Sequence, residues 1–479
     1  GQGGCSTSLA TRHMLWSMVQ VPTMKVYLET MGCQMNVLDS ELVAGLLRRS
    51  GMALTDDPDR ADVLLYNTCS VRQRAEDKVH SRLGLVCRRK ENGRPLVVGV
   101  LGCMAQRLGD SLLRRHPGVD IVCGPGQLAA LPEMIRAAGD AAAVRLDPPR
   151  RAEADRRALD ALDRGRDPAD GHLPGQAYVR IMRGCDKFCT YCVVPAVRGR
   201  EISRPAGDIV EEVRRLVGAG VSKVTLLGQT VSSYRHDGVA LARLLERLDA
   251  VNGLRRVRFI TSYPADFDDD ILRAMRDLPT VCEYLHVPAQ SGSDRMLAAM
   301  RRRYTRSDYD ALIDRARGIV PGIALAGDFI VGFPGEEDED HAASADLIRR
   351  SAYKNSFIFK YSPRPGTFAD ERLADNVPDD VKRLRNNELL AVQKEVSLTG
   401  NRAMVGRKVE VLAEGPSVRS AKQPTPSAAG QVQLTGRTRT DHIVVFDAPA
   451  DLAGSYVEVL IADATALALM GEVVTDGAC

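Results

Sequence analysis

The sequence predicts an α/β protein of three parts: an N-terminal α/β domain on a parallel sheet, a central partial (β/α)6 barrel, and a small antiparallel β-barrel at the carboxyl end. Three observations predict it. Short apolar runs alternate with helical periods from residue 25 to about 138, the same rhythm resumes near residue 176, and past about residue 404 it gives way to short strands between Gly, Pro and Ser turns. At ~150 residues per domain, a chain of 479 residues has room for about three.

Residues 1–23 are small, polar and unperiodic, lack the apolar centre of a signal peptide, and read as a disordered extension holding Trp16. Over 24–142, strands are expected at 25–30, 62–67, 96–101 and 120–122, with helices at 40–49, 74–88 and 111–116 between them. Parallel strands all point one way, so ligands gather beyond their carboxyl ends. Residues 143–173 are rich in Arg, Asp, Ala and Pro without a steady apolar stripe, and read as a charged, partly helical linker. Over 174–402, strands at 177–182, 223–227, 257–261, 283–287, 324–331 and 356–360 alternate with helices such as 208–218, 241–248, 270–278 and 309–317. About six such βα units predict an open barrel with its chemistry on the carboxyl-end loops. Over 403–474, short strands at 409–413, 431–435, 442–446 and 456–461, with a long loop at 415–430, predict the small β-barrel.

The net charge of +3 argues against a chain coated in basic residues. It leaves nucleic acid open, since local patches set that affinity. No run reaches the ~18 apolar residues of a membrane span, so a cytoplasmic protein is expected. Eleven cysteines, an odd number, favour metal binding or free thiols over disulfides.

The densest chemical signal is Cys185-x3-Cys189-x2-Cys192. A four-iron cluster normally takes four thiolates, so three can hold one while leaving an iron open to a small molecule. A structural zinc would need a second Cys or His pair some fifteen residues on, and the next cysteine is Cys282, alone in a hydrophobic run. Three further cysteines, Cys33, Cys69 and Cys103, each follow a predicted strand of the N-terminal sheet, which would bring them to one edge. Gly32 and Gly102 beside them are expected to leave room for a bulky inorganic group, whereas Cys87 and Cys123 suit plain core positions.

With an aromatic, Tyr191, just before its last cysteine, the central trio resembles the signature of radical S-adenosylmethionine enzymes. Together with the segments 31–36, 67–72, 102–106, 183–194, 199–204, 288–294, 328–336 and 359–367, in that order, the chain from about 24 to 473 resembles the methylthiotransferase family. The resemblance implies two 4Fe-4S clusters. Cys185, Cys189 and Cys192 would hold the one that binds S-adenosylmethionine and cleaves it to a 5′-deoxyadenosyl radical, and Cys33, Cys69 and Cys103 an auxiliary cluster that delivers sulfur. A radical is the chemical way into an unactivated C–H bond, which no side-chain base can deprotonate. The resemblance further implies cofactor contacts from Tyr191, Gly228, Gln229, Ser262, Gln290, Asp328, Gly332 and Glu336.

The family's branches act on isopentenylated adenosine in tRNA, on threonylcarbamoylated adenosine in tRNA, or on an aspartate of a ribosomal protein. Segments 31–36, 69–72 and 361–367 most resemble the first branch, which implies methylthiolation of N6-dimethylallyladenosine beside the anticodon. Thr230 and Val231, Tyr263, and Ala196 with Val197 depart from that branch's pattern at the reaction face. The terminal barrel resembles the RNA-binding TRAM module, so Arg437 and Arg439 there, with Arg198, Arg200 and Arg204 past the cysteine loop and the run at 301–306, are candidate RNA contacts. The expected partners are a tRNA anticodon stem-loop and an electron donor such as a flavodoxin or ferredoxin, with the enzyme acting as a monomer. The rival reading is an RNA-binding iron–sulfur redox sensor, which would need no open iron.

Overall fold

The computed structural model describes residues 23–70, 73–91, 96–138, 142–148, 153–171, 173–418, 420 and 431–474. Residues 1–22 of the expected extension, with Cys5 and Trp16, most of the loop expected at 415–430, and Cys479 lie outside them.

The N-terminal sheet has six parallel strands, β1 (Lys25–Met31), β2 (Ala53–Leu54), β3 (Val63–Thr68), β4 (Val97–Gly102), β5 (Ile121–Cys123) and β6 (Ala143–Arg145), in the order β2-β1-β3-β4-β5-β6. β3 is buried along its whole length, the mark of a strand covered on both faces. One cover is the Gln34–Arg49 helix, which buries Leu38, Leu42 and Leu47, and the other is the Gln73–Glu91 helix, which buries Val79, Leu83 and Val86. Helix Gln34–Arg49 begins six residues before the expected start, because its first turn is recruited to the site described below.

The segment expected to be a charged linker is structured and does more than connect. Its first residues form β6, and its helix Glu153–Arg164 buries Leu159, Leu162 and Asp163. The charge that hid this helix's buried face in the sequence is what packs it. Asp163 pairs with Arg180 at 2.5 Å and also with Arg183, while Arg180 reaches Asp39 of the N-terminal domain at 2.5 Å.

The central strands are β7 (Gln176–Arg180), β8 (Lys223–Leu227), β9 (Arg256–Phe259), β10 (Tyr284–His286), β11 (Ala324–Val331) and β12 (Asn355–Lys360). They pair in parallel as β9-β8-β7 and β10-β11-β12, and a parallel bridge between Val257 and Val281 joins the two sets. The result is the expected partial barrel, with β7 and β12 as its free edges.

The C-terminal barrel has five strands, β13 (Lys408–Pro416), β14 (Val432–Arg437), β15 (Ile443–Ala448), β16 (Tyr456–Ala464) and β17 (Leu469–Val473), closed in the order β13-β14-β15-β17-β16. All pairs are antiparallel except β15 with β17. The fifth strand, unmarked in the sequence reading, supplies the closure that removes the sheet's edges. Ion pairs dock this barrel at the amino end of the central strands: Arg256 with Glu410 at 2.8 Å, Arg258 with Asp441 at 2.5 Å and Lys354 with Asp441 at 3.3 Å. The carboxyl ends are thereby left to the N-terminal domain.

Candidate active site

The register of three neighbouring strands brings the first cysteine trio together. Met31 stands opposite Thr68, which stands opposite Gly102, so Cys33, Cys69 and Cys103 leave the sheet at adjacent strand ends. Cys33 caps the Gln34–Arg49 helix in an extended conformation, and Cys103 opens the short helix Cys103–Leu108. Gly102, at φ +86°, makes the turn between β4 and that helix, a conformation costly for any side chain.

The space beside Gly32 and Gly102 is filled by asparagines, where room for an inorganic group was expected. A Cβ on Gly32 would lie 2.7 Å from Asn36 Oδ1, and one on Gly102 would collide with Asn67 Oδ1. Fully buried Asn36 donates from Nδ2 to Asn67 Oδ1 at 3.0 Å, and Asn67 returns a bond from Nδ2 to the Asn36 carbonyl at 2.9 Å. Cys33 Sγ donates to Asn36 Oδ1 at 3.2 Å. These asparagines tie the loops of the trio to one another.

The second trio lies on the loop after β7. Cys185 N–H donates to the Gly199 carbonyl at 3.1 Å and Cys192 N–H to the Cys189 carbonyl at 3.0 Å. Gly184, at φ +73°, lies so close to the Arg200 carbonyl that no side chain fits. All six cysteines line one cavity of about 1000 Å³, which runs through the partial barrel from its carboxyl face to the docked C-terminal barrel.

Each trio has a guanidinium on one sulfur, buried in Arg198 and half-buried in Arg302. Arg198 donates from Nε to Cys103 Sγ at 3.2 Å, and Arg302 from Nη1 to Cys189 Sγ at 3.4 Å while its guanidinium lies 4.4 Å from the Tyr263 ring centre. A hydrogen bond with Cys69, reinforced against burial by the charge of Arg198, lowers the Cys33 thiol to about 6. Burial pushes Cys185 up to about 11 and Cys192 up to about 12, and raises Cys103 as well. Thiols so raised become ligands by releasing their protons to solvent as a metal binds.

Most of the other expected contacts reach the cavity. Tyr191, Gly228, Gln229, Ser262, Gln290 and Asp328 line it, and Asp328 Oδ1 bonds His286 Nε2 at 3.0 Å. Gly332 and Glu336 are not among the lining residues. Glu336 accepts from the Gly332 N–H at 2.8 Å and pairs with Arg385 at 3.0 Å, so this turn is tied to the Asp379–Arg402 helix instead.

The arginines expected on RNA divide sharply. Arg198 and Arg204 are buried and committed, Arg204 to the Arg180 carbonyl at 2.6 Å and Glu212 at 2.8 Å, which removes both from a phosphate-binding face. Arg439 spends its fork on Glu283 at 2.7 Å and the Val281 carbonyl at 2.7 Å and so serves barrel docking, whereas Arg437 pairs with Asp441 of its own barrel at 3.0 Å. Arg200 stays exposed, paired with Asp186 at 2.7 Å beside the Phe188 ring. His286 is a site residue that the sequence reading missed, and Arg302, expected only within a basic run for RNA, is half-buried on Cys189 instead, which its place in an Arg-Arg-Arg run does not reveal.

The donor set and the orphaned polar atoms describe what this cavity accepts. A single tetrahedral zinc needs sulfurs within about 4 Å of one another, and among the described residues no three His, Cys, Asp or Glu side chains form a group fit for one metal ion. Two separate thiol trios suit larger sulfur-bound groups. Gln229 Oε1 and Ser262 Oγ are buried on the cavity wall without a partner, which fits a polar ligand there.

Residues 25–124 match the uncharacterized protein family UPF0004, and residues 179–348 match the radical SAM superfamily. The chain is 48% identical over 464 residues to the tRNA-2-methylthio-N(6)-dimethylallyladenosine synthase of Rhodopirellula baltica, covering 95% of this chain and 96% of that one. It belongs to that synthase family. The synthase of Syntrophus aciditrophicus is 40% identical over 469 residues, covering 96% of each chain. The fold is shared with the radical S-adenosylmethionine methyltransferase TsrM of Kitasatospora setae, at TM-score 0.53 and 14% identity over 73% of this chain and 74% of that one. Membership in the synthase family makes the chain a radical S-adenosylmethionine methylthiotransferase of tRNA, with S-adenosylmethionine and iron–sulfur cofactors. Among the described residues no helix is long and apolar enough to cross a membrane.

Proposed function

We propose that the enzyme methylthiolates C2 of N6-dimethylallyladenosine beside the anticodon of tRNA, with Cys185, Cys189 and Cys192 holding the S-adenosylmethionine-binding 4Fe-4S cluster and Cys33, Cys69 and Cys103 the auxiliary one. The observation that carries this division is that two thiol trios, from two domains, open onto one cavity. When bound, the cofactors supply one-electron chemistry at a carbon with no acidic proton, together with the sulfur to be transferred.

The chain's own residues bind and orient. Gln229 Oε1 and Ser262 Oγ are free to take polar groups of S-adenosylmethionine, with Tyr191 packed edge-on to Phe333 behind the cysteine loop. Asp328 and His286 fix each other from adjacent strands. Arg198, bonded at once to Cys103 and Asp39, ties the loop of one trio to the other. Arg200, exposed beside Phe188, and the exposed Arg301 and Arg303 of the run at 301–306 are the arginines of the candidate set suited to meet RNA phosphate. A flavodoxin- or ferredoxin-type protein delivers electrons to a monomeric, cytoplasmic enzyme whose three domains span 24–142, 174–402 and 403–474.

The test is mass spectrometry of tRNA nucleosides from a strain lacking its own methylthiolating enzyme, with and without this chain. Appearance of 2-methylthio-N6-dimethylallyladenosine is expected. A methylthiolated threonylcarbamoyl adenosine in its place would assign the chain to another substrate.

A further inference from the structure

We propose that Phe357 and Phe359 form the shelf that receives the dimethylallyl-bearing adenine once it has left the RNA stack, an inference that rests on the substrate reading above. Residues two apart on a strand share a face. Both phenylalanines line the cavity from the free edge strand β12, while Ile358 between them packs into the core. Their rings lie within 14° of parallel with centres 6.5 Å apart, an offset-stacked pair. They are 47% and 38% exposed.

The apolar wall continues beyond them. Leu390 of the Asp379–Arg402 helix, 45% exposed, and Leu467 of the turn between β16 and β17, 84% exposed, line the same cavity. Exposed apolar side chains concentrated on one wall mark a surface built to be covered. Exposed Lys394 also lines the cavity, and exposed Lys360 follows on the same edge strand, both suited to the backbone phosphates of an entering RNA loop.

The occupant follows from chemistry. An extruded base needs an aromatic surface for its face, and a branched five-carbon substituent needs apolar walls. An unmodified adenine would leave Leu390 and Leu467 wet. The wall shares its cavity with all six cysteines, so a base seated on it lies in the compartment where sulfur transfer takes place.

The experiment uses the reconstituted full chain and two anticodon stem-loop RNAs, one with N6-dimethylallyladenosine and one with adenosine at the same position. Wild type is expected to bind the first at least about tenfold more tightly, the range that apolar pockets reach. In Phe357→Ala and Phe359→Ala both RNAs bind more weakly, since either adenine loses its shelf, but the dimethylallyl RNA loses most because its substituent is no longer held against the apolar wall, so the ratio falls to within about twofold while iron content holds. An unchanged ratio in variants of a wild type that forms methylthiolated product overturns the shelf and leaves the substrate reading standing. A wild type that forms no such product overturns both. A change in sedimentation with an unchanged ratio assigns the wall to a second copy of the chain, and also overturns the shelf.

Discussion

Arg198 donates a hydrogen bond from Nε to Cys103 Sγ at 3.2 Å, although the two residues come from different domains. The arginine ends the helix Val194–Arg198 just past the second cysteine trio, and its other arm is held by Asp39 at 2.9 Å. Hydrogen bonds and positive charge beside a ligand sulfur stabilise the more negative, reduced form of an iron–sulfur cluster. Arg198→Gln is therefore expected to shift the auxiliary cluster to a more negative midpoint potential, read by EPR-monitored redox titration, while the other cluster's midpoint stays in place. Arg198→Lys should recover part of the shift.

Arg302 has the corresponding place beside Cys189. Arg302→Gln is expected to move the S-adenosylmethionine-binding cluster's midpoint downward and leave the auxiliary one unchanged in the same titration. The mirrored pattern of the two variants separates an electrostatic role from general loosening of the site.

Stability should depend on pH through Asp163. Burial opposes its ionisation, but Arg180, Arg183 and Arg204 outweigh that and hold the carboxyl well below the usual carboxylate range. A carboxyl depressed in the fold contributes stability that is present above its unfolded value, near 3.9, and is lost as pH falls below it. Asp441, burdened by burial yet held down by Arg258, Lys354 and Arg437, acts in the same direction. Thermal unfolding followed from pH 7 to pH 3 should show the melting temperature dropping mainly below about pH 5. Asp163→Asn, which leaves three guanidinium groups short of a partner, should cost about 3–5 kcal/mol at pH 7 and flatten that acid limb.

Gly102→Ala tests the asparagine lattice. Its φ of +86° alone costs a side chain about 1–2 kcal/mol, and the new methyl would also push Asn67 off Asn36. Denaturant unfolding should show at least that loss, and reconstitution should lose auxiliary iron selectively.

The βα rhythm and the cysteine spacings made the three-part fold and both trios legible, because strand ends and short-range spacing are local patterns. Long-range pairing is not. The bond between Asn36 and Asn67 spans 31 positions and leaves no periodic trace. Helix Glu153–Arg164 looked like a linker because its buried face includes a carboxylate, Asp163, whose three arginine partners lie elsewhere in the chain. The same blindness sent Arg198 and Arg204 to an RNA face, since an arginine's burial depends on where an Asp39 or a Glu212 comes to rest.

The division of labour between the trios is tested most directly by replacing Cys33, Cys69 and Cys103 together with alanine and reconstituting the chain without oxygen. The expected result is a fall from about eight to about four irons per chain, continued cleavage of S-adenosylmethionine to 5′-deoxyadenosine, and no methylthiolated nucleoside. Loss of S-adenosylmethionine cleavage despite an intact four-iron signal, or retention of about eight irons, would contradict it.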